Sequence, residues 1–126
     1  MTTRSILFLA AVVVLAPAGC GPAKLDETKT YSVTAGDTQM MILPKQPKPQ
    51  RITVEYESNQ PVDVAIYKSE DVKEGEAMPT SKALGIDRAK EKGTVTADLA
   101  PDVATTVTVT GLGKTATVKV HVHNKK

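Results

Sequence analysis

The chain has 126 residues, of which 40% are hydrophobic and 24% charged, and its formal net charge is +2. This length is typical of one domain with its own core. The near-neutral charge, without a cluster of Lys and Arg, argues against nucleic acid as a partner. The apolar content excludes a disordered chain, and a single cysteine excludes a disulfide scaffold.

The N-terminal segment has the three-part organisation of an export signal. Arg4 supplies a charged start, residues 6–15 (ILFLAAVVVL) form an unbroken apolar run, and small residues follow. This run is too short for a permanent membrane span, which needs about 20 residues. We therefore predict a signal peptide over residues 1–19.

Two cleavage sites are compatible with this signal. The segment Ala18-Gly19-Cys20 resembles the lipobox of bacterial lipoproteins, in which the cysteine is acylated and becomes the mature N-terminus, although Pro17 stands where an apolar residue is usual. Ordinary signal peptidase would instead cut after Ala18 and release a soluble secreted protein. Because Cys20 is the only cysteine and a free thiol is prone to oxidation after export, the sequence favours acylation. Membrane lipid then anchors the protein in the bacterial cell envelope, in either the outer or the inner membrane.

The remainder divides into a tether and a folded domain. Residues 20–29 are polar without a period, which predicts a short lipidated tether. Residues 30–126 alternate between apolar and polar side chains, the pattern of strands with one buried face. The alternating segments are 31–34, 39–43, 52–57, 62–67, 94–99, 106–110 and 116–123.

Turn signals separate these segments and indicate an all-β fold. We predict turns at residues 35–37, 59–61 and 101–102, and a hairpin across residues 111–113. About seven short strands point to an antiparallel two-sheet sandwich, jelly-roll or immunoglobulin-like, with a small barrel as the alternative. The charged segment 69–92 is predicted to be a solvated insertion. Apolar residues at helical spacing within it allow a short helix near residues 83–89.

The domain also resembles a known type of bacterial module. Its opening strand with Ala-Gly-Asp (YSVTAGD), the block RITVEYESNQPVDVAIYK over residues 51–68 and the closing segment VTVTGLGKTATVKVHV are similar to pre-peptidase C-terminal and GOLD-type β-sandwich domains. This resemblance is a pattern of strands and transfers no site residues. It implies a non-catalytic accessory or binding module, here in a small envelope lipoprotein.

One pair of side chains suggests metal chemistry. His121 and His123 lie two apart in a predicted strand, so both imidazoles project from one face and could hold one ion. A third ligand would have to come from Met40, Met41 or a loop carboxylate. The competing interpretation places both rings on the solvent-facing side of the last strand.

Other side chains give little indication of catalysis. The carboxylate pairs Glu55 with Glu57 and Glu70 with Asp71 fall on outward or charged positions, where neither group is desolvated as acid–base catalysis requires. The aromatic residues that follow the signal are three tyrosines. Tyr31 and Tyr56 are predicted to lie in the core, and Tyr67 is predicted to lie outside it. We therefore expect a non-enzymatic envelope lipoprotein without a cofactor, serving a structural or protein-interaction role with an envelope protein as the expected partner. The alternative is a periplasmic metal-binding protein that uses His121 and His123.

Overall fold

The structure, a computed structural model, describes residues 23–73 and 79–125. The predicted signal peptide and Cys20 lie outside this part of the chain. Within it the chain forms strands β1 (Asp26–Val33), β2 (Thr38–Leu43), β3 (Gln50–Lys68), β4 (Gly85–Leu99), β5 (Thr105–Gly111) and β6 (Ala116–His123), with 3-10 turns at Ser69–Asp71 and Thr80–Lys82. None of its helices is long and apolar enough to cross a membrane. The all-β antiparallel prediction is confirmed.

The long strand β3 organises the sheet. β4 pairs along one edge of β3, while the other edge holds β6 against residues 53–58 and β5 against residues 62–68. β1 and β2 extend the sheet beyond β6 and β5 respectively. The resulting six-stranded sheet bends at the middle of β3 and is nearly barrel-shaped.

The two halves of this bent sheet share one apolar core. Along β3 the even-numbered residues point inward on both sides of the bend, and Ile52, Val54, Val64 and Ile66 are fully buried. β-branched side chains dominate this core because they pack well on a pleated surface. Tyr56 is also buried, and Tyr31 packs at the edge of the core, as predicted.

The predicted turn over residues 59–61 is wrong, and this error explains the difference between six strands and the predicted seven. The chain bends there without reversing, so residues 52–57 and 62–67 belong to one strand. Ser58 stabilises the bend, since its Oγ donates to the Gln60 carbonyl at 2.7 Å and accepts the Gln60 N–H at 3.2 Å. Turn-forming residues can therefore also bend a strand, when neighbouring strands pair with it both before and after the bend.

The predicted hairpin across residues 111–113 is also wrong. In the described part of the chain β5 pairs with β3 and β2, and β6 pairs with β3 and β1, but the two do not pair with each other. They follow one another along the same edge of β3, because that strand is long enough for both. The 111–113 connection therefore sits beside the bend of β3.

Three further predictions need correction. The helix expected near residues 83–89 is absent from the described chain, because Ile86 and Asp87 pair with β3 as part of β4. Tyr67 is not exposed, with 3% of its surface accessible, since β3 is buried on both faces at this point. The folded domain also begins before residue 30, because Leu25 contributes to the core and β1 starts at Asp26.

Candidate functional site

The outer face of β6, β3 and β1 gathers the histidines with carboxylates. The inward side chains of Val118, Val120 and Val122 on β6 are fully buried, so the alternating residues of that strand point outward. The register places Glu55 of β3 directly opposite His121, while Asp26 of β1 lies opposite His123. Both histidines therefore project from the outer face, as predicted, between carboxylates of two neighbouring strands.

His121 contacts a carboxylate at each ring nitrogen. Its Nδ1 lies 3.2 Å from Glu55 Oε1, and its Nε2 lies 2.6 Å from Asp26 Oδ1. The His121 side chain is 30% exposed, which makes it half-buried. The strand pairing thus holds this imidazole in a fixed position between two acids.

His123 completes the cluster. Its Nε2 lies 3.7 Å from Glu55 Oε2, and its ring centroid is 5.0 Å from that of His121. Its side chain is 12% exposed, so the ring is half-buried although it lies on the outer, solvent-facing side of the last strand. Donor atoms of Glu55, His121 and His123 all lie within 4.8 Å of one another.

The third candidate ligand is therefore Glu55, an outward strand residue for which the sequence predicts a solvated side chain. Met40 and Met41 lie on β2, which pairs with β5 in the other half of the sheet, and Met41 is buried in the core. Among the described residues, the carboxylate that groups with both histidines is Glu55, which lies on a strand and not in a loop. The outward position of Glu55 was visible in the sequence, but its pairing with His121 depends on which strands become neighbours.

The structure places the other carboxylates considered in the sequence opposite lysines or in a 3-10 turn. Glu57 faces Lys119 and Lys92 across the two neighbouring strands. Asp71 lies in a 3-10 turn, with its Oδ1 3.7 Å from the Lys82 Nζ.

A shallow groove of about 530 Å³ borders the cluster. His121 and Glu55 lie at one side, and Tyr56, Gly93 and Lys92 also line it. The Tyr56 hydroxyl donates to Asp87 Oδ2 at 2.7 Å, and burial together with this carboxylate raises the pKa of the Tyr56 phenol. The cluster is therefore open to solvent on this side.

The electrostatics of the cluster are clearest at Asp26. The hydrogen bond from His121 lowers the pKa of the Asp26 carboxyl below its ordinary value of 3.8, and the nearby Lys125 ammonium lowers it further. Lys125 Nζ lies 3.7 Å from Asp26 Oδ2. Asp26 therefore stays ionised to a lower pH in the folded protein than in the unfolded chain.

We expect the His121→Phe substitution to raise the pKa of Asp26 towards 3.8, because it removes the largest cause of the depression. The contribution of this contact to stability is present above pH 3.8 and is lost as the pH falls through the lower pKa of the folded state. Carbon-detected NMR titration of the Asp26 carboxyl in both proteins measures the change. An unchanged midpoint in the variant would show that Asp26 and His121 do not interact in solution.

Comparison with known proteins gives the chain no family. Neither protein-family models nor curated protein sequences match it.

Proposed function

We propose that the chain is a non-catalytic lipoprotein of the bacterial cell envelope, anchored through acylated Cys20, whose β domain serves a structural or protein-interaction role. The start of the folded domain is the observation that best supports this proposal. Leu25 contributes to the core, and the Ala23 carbonyl accepts a hydrogen bond from Asn124 Nδ2 at 2.8 Å. The domain thus begins a few residues after the one cysteine in the chain, the arrangement that an acylated N-terminus would give.

This attachment would determine which end of the domain faces the membrane. Ala23 is hydrogen-bonded into the domain and follows Cys20 by three residues, so the anchor would lie within about 11 Å of it. At the end of the domain where the chain enters, the Ala23 N–H donates to Gln46 Oε1 at 3.2 Å, and the Gln46 carbonyl accepts from the Asp102 N–H at 2.7 Å. Lys24, Lys45 and Lys48 are exposed on the same end, where cationic side chains would meet anionic headgroups.

The bent sheet is also compatible with the proposed sandwich. Its two halves meet at the bend of β3 and pack on one core, with Val54 on one side and Val64 on the other. In this proposal the halves act as the two layers of a domain of the pre-peptidase C-terminal or GOLD type. Envelope proteins would bind its outer surface.

The anchor is tested by the intact mass of the full chain, expressed in a Gram-negative host and extracted from its membranes. We expect the mass of a chain that begins at Cys20 and carries a diacylglycerol and an N-acyl group. The Cys20→Ala variant is the control and should lose both the added mass and the membrane association. A lipid-free chain beginning at Gly19 would overturn the anchored proposal and support a soluble exported protein.

Metal binding is a second candidate function, and the position of Glu55 favours it. The histidine pair alone offers two ligands, whereas a competent site needs at least three. The sheet supplies Glu55 with its Oε1 3.2 Å from His121 Nδ1. A periplasmic metal-binding role through His121 and His123 therefore has a structural argument that the sequence did not provide.

A further inference from the structure

We infer that Glu55, His121 and His123 bind a divalent transition metal ion of the zinc class, with Asp26 as the residue that positions His121. This inference deepens the metal-binding candidate by assigning the ligands and the ion, and it does not depend on the lipid anchor.

Two of the three donor-atom distances are close to the spacing that zinc requires, and all three lie within 4.8 Å. Bonds of about 2.0–2.1 Å at tetrahedral angles place neighbouring donor atoms about 3.3 Å apart. His121 Nδ1 and Glu55 Oε1 are 3.2 Å apart, and His123 Nε2 and Glu55 Oε2 are 3.7 Å apart. Small side-chain rotations bring these three residues around one ion, since the ladder between β3 and β6 already fixes their backbones.

Asp26 provides the outer contact that metal-bound histidines usually have. A carboxylate that accepts the N–H of a ligating imidazole fixes its orientation and makes the other nitrogen a stronger ligand. Asp26 Oδ1 lies 2.6 Å from His121 Nε2, on the opposite side of the ring from Glu55. In the tautomer with the proton on Nε2, the Nδ1 lone pair points towards Glu55.

That tautomer leaves a space that suits a cation. A neutral imidazole has a single N–H and can donate to one of its two carboxylate neighbours, not to both. With Asp26 as acceptor, the Nδ1 lone pair of His121 and the Glu55 oxygen face each other as two acceptors. A metal ion between the two acceptors converts this repulsion into two coordinate bonds.

His123 requires one local change. Its Nδ1 accepts the backbone N–H of Lys125 at 3.3 Å, which places the ring proton on Nε2. Coordination through Nε2 moves that proton to Nδ1 and displaces the Lys125 amide. This contact is long and exposed, so its loss costs little, and the Lys125 amide becomes a reporter of binding.

The ligand types select the class of ion. Two imidazoles and one carboxylate suit zinc, copper(II) or nickel(II), whereas magnesium and calcium prefer oxygen ligands alone. The Glu55 side chain is 52% exposed, so water or a small ligand from the groove can complete the coordination. Zinc fits best because three imidazole and carboxylate ligands with an open fourth position form a common zinc site.

Isothermal titration with zinc, on the full chain carrying Cys20→Ala, tests the site without a competing thiol. We expect a dissociation constant in the micromolar range or below. Glu55→Gln and His123→Gln should each weaken binding by about 100-fold, and Asp26→Asn by about 10-fold, as for outer contacts at other metal sites. Glu57→Gln is the matched control, because it lies on the same face of β3 outside the cluster, and it should bind zinc as strongly as the parent.

Nitrogen NMR distinguishes coordination from nonspecific binding. Zinc should shift His121 Nδ1, His123 Nε2 and the Lys125 amide, while the spectra of the metal-free variants show that each remains folded. Binding no tighter than millimolar, or equal binding by the Glu55→Gln and Glu57→Gln variants, would overturn the site. Neither result would affect the mass measurement on Cys20. Failure of the metal site can therefore be distinguished from failure of the lipid anchor.

Discussion

Ile66→Ala should lower the free energy of unfolding by about 2–5 kcal/mol, the usual cost of truncating a buried isoleucine. Ile66 is 0% exposed and lies on β3, where that strand pairs with β4 on one edge and β5 on the other. Because backbone ladders hold it on both sides, the surrounding strands have little freedom to collapse into the cavity. Urea denaturation followed by far-ultraviolet circular dichroism measures the loss.

The chain offers a control of the same chemistry. Ile42 lies on β2, and 73% of its surface is exposed. Ile42→Ala should therefore change the free energy of unfolding by no more than about 0.5 kcal/mol. Equal losses from the two substitutions would mean that the core does not run through the second half of β3 as described.

The sequence allowed the strands to be recognised because their alternation is local. The residues of β6 change from buried to outward at every step, and this period appears directly in Ala116–His123. The same holds before the bend of β3, whereas after the bend Val64–Tyr67 are buried on both faces, so the polarity pattern there did not reveal the burial of Tyr67. Burial of one face determines such a pattern whatever strand lies alongside, so a single sequence is sufficient to reveal it.

Strand partners could not be predicted in the same way. The glycines at residues 111 and 113 are typical of a hairpin, yet β5 and β6 both lie along β3. Residues 59–61 likewise look like a turn and instead bend one strand. In both places the choice between reversal and continuation depends on contacts with distant strands, which outweigh local turn chemistry.

At the candidate site, too, local spacing could be predicted from the sequence, whereas the neighbouring strands could not. That His121 and His123 share a face follows from their spacing alone. Glu55 and Asp26 join them because β3 and β1 flank β6, and these partners lie 66 and 95 residues away from His121 along the chain. From the sequence, a carboxylate on an exposed strand is expected to be solvated. Its contact with a histidine becomes visible only when the pairing register of the strands is known.

The final prediction concerns Gly111, where the two halves of the sheet meet. The Gly36 N–H donates to the Gly111 carbonyl at 2.9 Å, and the Gly111 N–H donates to the Asp37 carbonyl at the same distance. A Cβ added at Gly111 would lie 2.7 Å from the Thr34 carbonyl carbon and closer still to its oxygen. Because the obstruction is backbone, Gly111→Ala must push the β1–β2 connection away.

We therefore expect Gly111→Ala to cost about 1–3 kcal/mol of stability, as for other overpacked positions. Gly113→Ala is the matched control, since a Cβ there meets nothing within 4 Å. That variant should be as stable as the parent or slightly more stable, because alanine restricts the unfolded chain. Urea denaturation compares the three proteins, and amide exchange at Gly36 reports on the contact itself. Faster exchange at Gly36 in the Gly111→Ala protein alone would locate the damage at this junction, whereas equal stability of both variants would show that the β1–β2 connection does not close against β5.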